Sequence, residues 1–270
     1  MNKQWFTLPP APKYLSEDVS VGFITQLEAG CTSVSFKVVL LHCRAKIRTS
    51  LELEVFSSET GEWIAYSIKS DLSVLGSGRL SGVYLNNYLH WIGRGLGIIA
   101  YDPYGSPDTF RFIPFPDGFN SSSKRGRRSL CGVQQGCLML CEMLGVFDLE
   151  GFSHFKIWVL EDYKANRWLM KHSIKKEDVI VDDKLLVKKL WVEPAAFHPY
   201  DPDVIYLALD GFDLVSYNTR TRRGWNHLVF QRNVKRGLKG IESFHGHHAF
   251  WLTSHYGLFL FHITYFRSCA

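Results

Sequence analysis

Five aromatic residues, Trp5, Trp63, Phe110, Trp168 and Trp225, stand at corresponding places in the chain, at intervals of 58, 47, 58 and 57 residues. Before each of the last four comes an apolar segment and then a polar turn: Leu51 to Phe56, Ile98 to Tyr101, Lys156 to Leu160 and Asp213 to Tyr217 precede turns carrying Gly61, Pro103, Asn166 and Gly224. Such residues tolerate or preset turn dihedrals. Each aromatic then opens a further strand-like segment, where a large apolar ring buries well between neighbouring repeats. Trp63, Phe110, Trp168 and Trp225 are therefore expected to be largely buried at equivalent places.

A recurring unit of roughly 50 residues is what a four-stranded blade of a β-propeller requires. The other apolar segments agree, being short, rich in Val, Ile, Phe, Tyr and Trp, and separated by turns. Lys175 to Leu190 comes nearest to helical periodicity, but its Val-Ile-Val and Asp182-Asp183 read as a loop between strands. Hairpins are expected at Asn86-Asn87, at Gln134 to Gly136 and at Asp210-Gly211, the last matched to the first. The fold class is all-β, a propeller of about five to six four-stranded blades read as one domain over 1–270 with an incomplete first blade. Lys3 to Leu8 has no blade of its own and is expected to pair with strands of 239–266.

Composition supports a packed core, with 46% hydrophobic and 21% charged residues, and it excludes disorder or a coiled coil for the whole chain. Aromatics reach 14%, which favours pleated structure. A net charge of +5 is short of a dedicated nucleic-acid binder, and none is expected as partner. No apolar run approaches the ~20 residues of a spanning helix, so no membrane partner is expected. The start, M-N-K-Q-W-F-T-L-P-P, has no apolar signal-peptide region. The six cysteines lack the paired C-x2-C unit of a zinc site. Cys137 and Cys141 share a strand face with Met139 and read as buried thiols, which points to a reducing, intracellular setting in cytoplasm or nucleus.

The order W-F-T-L-P-P, F-K-V-V-L-L, L-E-L-E-V-F-S-S-E-T-G-E-W, G-V-Y-L-N-N-Y-L-H-W-I, I-I-A-Y-D-P, F-R-F-I-P-F-P, F-K-I-W-V-L-E-D-Y and W-L-M-K-H-S-I, with the later F-H-P-Y-D-P-D-V-I-Y-L and L-V-S-Y-N-T-R-T-R, resembles the plant F-box-associated β-propeller domain over nearly the whole chain. The resemblance implies a kelch-like propeller that recruits protein substrates to an SCF-type cullin ubiquitin ligase and does no chemistry itself. In that family a helical F-box precedes the propeller and docks on the Skp-type adaptor. No such segment precedes Trp5, so an N-terminally truncated product is expected, and the adaptor and cullin are partners only of a longer form carrying an F-box. A decoy or a non-functional fragment is one alternative, and a propeller enzyme with a central-channel active site is another.

Candidate sites have bland readings beside them. His245, His247 and His248 read as a polar hairpin rather than a metal site. Lys124 to Arg128 reads as a solvated basic loop, while Arg232, Lys235, Arg236 and Lys239, with Arg220, Arg222 and Arg223, could meet an acidic partner. Gly93 to Gly97 lacks phosphate-loop spacing and precedes a strand. Glu161, Asp162, Asp201 and Asp203 fall at turns, where turn chemistry accounts for them. No catalytic, cofactor or metal residue is assigned; the working surface is expected in the loops of one propeller face, with contact residues unnamed.

Overall fold

In a computed structural model of the 270-residue chain, the structure describes residues 8–12, 19–27, 34–42, 50–69, 82–93, 97–119, 129–144, 154–181, 185–186, 192–209, 213–228, 247–254 and 257–264. These are organised almost entirely as antiparallel strands. The first sheet is the meander β1 (Val19–Leu27), β2 (Val34–His42), β3 (Ser50–Ser57) and β4 (Glu62–Lys69). The second is β5 (Val83–Leu85), β6 (Tyr88–Ile92), β7 (Gly97–Tyr101) and β8 (Arg111–Pro114). The third is β9 (Ser129–Gln134), β10 (Cys137–Leu144), β11 (His154–Asp162) and β12 (Arg167–Lys175).

After a single 3-10 turn at Lys176–Asp178 come two short strands, β13 (Ile180–Val181) and β14 (Leu185–Leu186). The segment Lys175 to Leu190, expected as a loop between strands, instead carries this turn and two short strands among its described residues. The fourth meander is β15 (Val192–Phe197), β16 (Val204–Leu209), β17 (Asp213–Asn218) and β18 (Arg223–Leu228); β13 adds to it in parallel beside β18. A hairpin of β19 (His247–Ser254) and β20 (Gly257–Thr264) completes the described strands. Four four-stranded meanders in sequence order are the repeat that the aromatic spacing demands. Trp5 and most of Lys3 to Leu8 lie outside the described residues, as does the turn at Asp210-Gly211.

Two compact units are formed, Met1–Phe112 with Gly237–Ala270, and Ile113–Arg236. In the first unit, Val39, Leu53, Leu89, Ile99 and Tyr101 belong to one buried cluster. In the second, Cys141, Phe155, Val192, Leu207 and Tyr217 do the same. Glycines in the first strands let the next sheet close in. A Cβ on Gly22 in β1 would stand 2.7 Å from Leu89 Cδ1 and Trp91 Cζ2 of β6, and one on Gly132 in β9 would stand 2.6 Å from Phe197 Cδ2 of β15, so neither position admits a side chain without a shift.

Two of the repeated tryptophans are held alike. Trp63 pairs with Phe56, and Trp168 with Leu160, each as the second residue of an outer strand. Trp63 Nε1–H donates to the Pro9 carbonyl at 2.8 Å, and Trp168 Nε1–H donates to the Pro114 carbonyl at 2.9 Å. Each acceptor lies 54 residues earlier in the chain. The neighbouring Ile64 and Leu169 have matching exposures of 47% and 48%.

Both tryptophans, and Phe110, are half-buried rather than largely buried. For the two tryptophans the cause is topological, because β4 and β12 are the terminal strands of their sheets and the indole keeps one side open while its N–H is satisfied. Trp225 is out of step. Tyr217 pairs with Gly224, and Trp225 falls one register position later, opposite Ser216. The position equivalent to Trp63 and Trp168 is therefore Gly224. The turn glycine role there is taken by Arg222, at φ 59°, matching Gly61 at 72° and Asn166 at 55°. A shift of one residue exchanges the faces of a strand, so spacing in sequence alone misaligned the fourth repeat.

Candidate recognition surface

In a four-stranded meander the first-to-second and third-to-fourth connections leave from the same end of the strands. The turn at Asn86-Asn87 (φ 51° and 65°) and the turn at Gln135-Gly136 (φ 51° and 73°) join first to second strands. The hairpin of β16 and β17 joins second to third strands, so it is not the counterpart of Asn86-Asn87. At the same end of β11 and β12, Asp162 Oδ1 accepts from Lys164 N–H at 3.0 Å and Ala165 N–H at 2.9 Å. Those amides, Ala165 first, hold its carboxyl below the usual range. Asn218 Oδ1 does the same for Arg220 and Thr221.

The most completely built connection at this end is His198 to Val204, between β15 and β16. Every amide N–H in it donates. His198 N–H bonds Val204 O at 3.1 Å, and Val204 N–H bonds Asp201 O at 3.3 Å. Tyr200 and Asp201 N–H both point to His198 Nδ1, at 3.2 and 2.9 Å, which makes that nitrogen the acceptor and puts the ring proton on Nε2. Asp203 N–H bonds Asp201 Oδ1 at 3.0 Å. Pro199 and Pro202 have no N–H to satisfy.

Every carbonyl in the segment also accepts. The buried Gln134 amide reaches Asp201 O at 2.8 Å, Val204 O at 3.1 Å and His198 O at 3.2 Å. Gln135 N–H takes Pro199 O at 3.1 Å, and its side-chain amide takes Tyr200 O at 3.4 Å. Lys171 Nζ donates to Pro202 O at 2.7 Å. Thr219 serves Asp203 O through its N–H at 2.7 Å and its hydroxyl at 3.0 Å. The loop holds up Tyr200, which is 83% exposed, the highest among the large apolar side chains described. Its ring lies edge-on to His198, with centroids 6.3 Å apart.

Around this loop the charges are largely matched. Arg220 pairs with Asp203, and Arg222 Nη1 lies 2.9 Å from Asp178 Oδ2. His172 Nε2 is 3.1 Å from the Thr219 hydroxyl, and its pKa is lowered, first by burial and then by Lys171.

Glu161, Asp162, Asp201 and Asp203 are engaged in turns and ion pairs, as their positions indicated; Glu161 lies 3.7 Å from Arg167. Arg220 and Arg222 do not form a free basic patch, because each has its own carboxylate. Cys141 is a buried free thiol as expected, but Cys137, at the start of β10, is only half-buried; Cys131 on the adjacent strand is buried as well, and burial raises the pKa of Cys131 to about 12 and that of Cys141 further. Gly93 N–H bonds Gly97 O at 2.8 Å and strand β7 follows, so this segment is a strand connection. His247 and His248 begin β19, while His245, Lys124 to Arg128, Arg232, Lys235, Arg236 and Lys239 lie outside the described residues. Among the described residues no three His, Cys, Asp or Glu side chains are placed to hold a metal.

Sequence reasoning missed Gln134, Lys171 and Tyr200. Two prolines three apart, with an aspartate on each side of the second, could have marked a stiff loop. Nothing local to Gln134 announces its distant acceptors.

The family described as F-box protein At3g26010-like, beta-propeller, matches residues 1–237. The chain is 29% identical to F-box protein At3g26010 of Arabidopsis thaliana, over 82% of this chain and 50% of that protein. It is 27% identical to the putative F-box/kelch-repeat protein At1g15680, over 82% of this chain and 52% of that one, and 27% identical to the putative F-box protein At3g23950, over 81% and 53%. Both are also from Arabidopsis thaliana. The chain spans about half the length of these relatives. The repeated four-strand meander, the tryptophan-to-proline link between repeats and the match over most of the sequence agree: the chain belongs to the F-box protein At3g26010-like β-propeller family.

Proposed function

We propose that this chain is a protein-recognition domain that selects substrates for an SCF-type ubiquitin ligase and performs no chemistry of its own. The observation that carries the reading is the family match over residues 1–237. The fully bonded His198 to Val204 loop supports it, because loops fixed by a rigid scaffold are where recognition is built. The turn carboxylates Asp162, Asp201 and Asp203 support it too, since each is committed to a turn or an ion pair. Transfer of ubiquitin takes place elsewhere in the complex, and contact with a Skp-type adaptor and a cullin belongs to a form that carries an F-box.

The test is affinity purification of the tagged chain from plant tissue, beside a version fused to an F-box, followed by identification of partners. The reading expects a shared set of protein partners in both and adaptor with cullin in the fused version. If neither version retains a shared protein partner, the recognition reading fails.

A further inference from the structure

The feature of the second unit that recognition alone does not explain is the completeness of the loop beneath Tyr200. Seven residues, His198 to Val204, leave no N–H and no carbonyl unused, and they draw on side chains from β9, β12 and the β17–β18 turn to achieve this. The result is one aromatic ring standing 83% exposed on a fixed support. The next most exposed large apolar side chain described, Leu169, stands at 48%. An exposed ring on a mobile loop would have to be ordered on binding. Here that ordering is already done by the hydrogen bonds, and the ring is steadied by His198. Tyrosine loses few rotamers on contact and presents a large area, which suits it to anchoring.

We propose that Tyr200 is the anchor of the recognition surface in the second unit, and that it inserts into an uncharged apolar pocket on a protein partner. This rests on the recognition reading and names the contact within it. The pocket is uncharged because the neighbouring cations are already engaged: Asp203 takes Arg220, Asp178 takes Arg222, and Lys171 Nζ is held by the Pro202 carbonyl. An acidic partner would have to displace those pairs.

The test uses a phage-displayed library of disulfide-constrained random peptides, selected on the intact chain, with winners remade as synthetic peptides. Such selections settle on spots where an anchored side chain concentrates binding energy. Winners are expected to be rich in apolar residues. They should bind Tyr200→Phe within about threefold of the unaltered chain and Tyr200→Ala at least about tenfold more weakly. Their affinity should change less than about threefold between low and high salt. The melting temperature of Tyr200→Ala should be unchanged, since the loop's bonds do not use the phenol. Winners that bind Tyr200→Ala equally would overturn the anchor while leaving the recognition reading in place. Acidic winners with a steep salt dependence would overturn the uncharged pocket. A library that yields no winner would remove the anchor and weaken the recognition reading with it.

Discussion

In the first unit Lys37 Nζ donates to the Pro103 carbonyl at 2.8 Å; in the second, Lys171 Nζ donates to the Pro202 carbonyl at 2.7 Å. Both loops turn on an aspartate whose Oδ1 takes an amide two residues on, Asp102 with Tyr104 and Asp201 with Asp203. Yet their tyrosines are treated differently. Tyr104 is folded down: the Lys37 ammonium lies 4.3 Å from its ring centroid, and its hydroxyl is 3.3 Å from Ser35 Oγ. Burial raises its pKa. Tyr200 is held out into solvent. One supporting device thus serves two ends. Where the lysine covers the ring, the loop is part of the fold's packing; where other groups complete the hydrogen bonds, the ring is left for contact.

The largest expected effect concerns what the units share. Trp63→Ala and Trp168→Ala should each cost about 3 kcal/mol in urea unfolding, the low end for tryptophan because both rings are half-buried. Markedly unequal losses would break the equivalence of the first and third repeats.

Gln134→Ala should follow at about 2 kcal/mol, because removing the amide takes the side-chain donor from the His198 carbonyl and one of two donors from each of the Asp201 and Val204 carbonyls. A loss within the range of an ordinary surface change would mean that the clamp holds nothing.

Acid should act on both units, through His90 in the first and His172 in the second, with the larger shift at His90. Burial lowers the pKa of His90 to about 4, with its Nδ1–H donating to Val83 O at 3.0 Å. In the unfolded chain it titrates near its ordinary value. Above about pH 7 it contributes no pH dependence. As pH falls below about 6.5 the unfolded state takes up a proton that the native state refuses, so stability declines, by about 2 kcal/mol at pH 5. Hydrogen exchange through the first unit should report this loss, and His90→Asn should flatten it. An unchanged acid limb in that variant would assign the loss elsewhere.

The smallest effects bear on the comparison itself. Tyr104→Ala should cost about 1 kcal/mol, and Tyr200→Ala less than about 0.5 kcal/mol, as for a surface change away from packing. Thermal unfolding of the two variants side by side gives both values. Equal costs would erase the distinction between covered and displayed rings.

The repeat was legible from spacing because an aromatic opening each outer strand must recur if each repeat packs alike. Its fourth member was misaligned by one residue, since Gly224 holds the equivalent position and Trp225 the next one, opposite Ser216, a step that the interval of 57 residues does not reveal. The turn roles of Asp162 and Asp201 could be read locally. Those of Gln134, Lys171 and Lys37 could not, because their acceptors lie 67, 31 and 66 residues away. A side chain that closes a loop over such a distance is defined only once the strands are aligned.

Amide hydrogen exchange across His198 to Val204 in the free chain tests the central claim most directly, because the claim is that the loop under Tyr200 is ordered before any partner arrives. The account predicts that the amides of Tyr200, Asp201, Asp203 and Val204 exchange at least about 100-fold more slowly than in an unstructured peptide. Exchange of these four at unstructured rates would show that Tyr200 sits on a mobile loop, and would contradict the account.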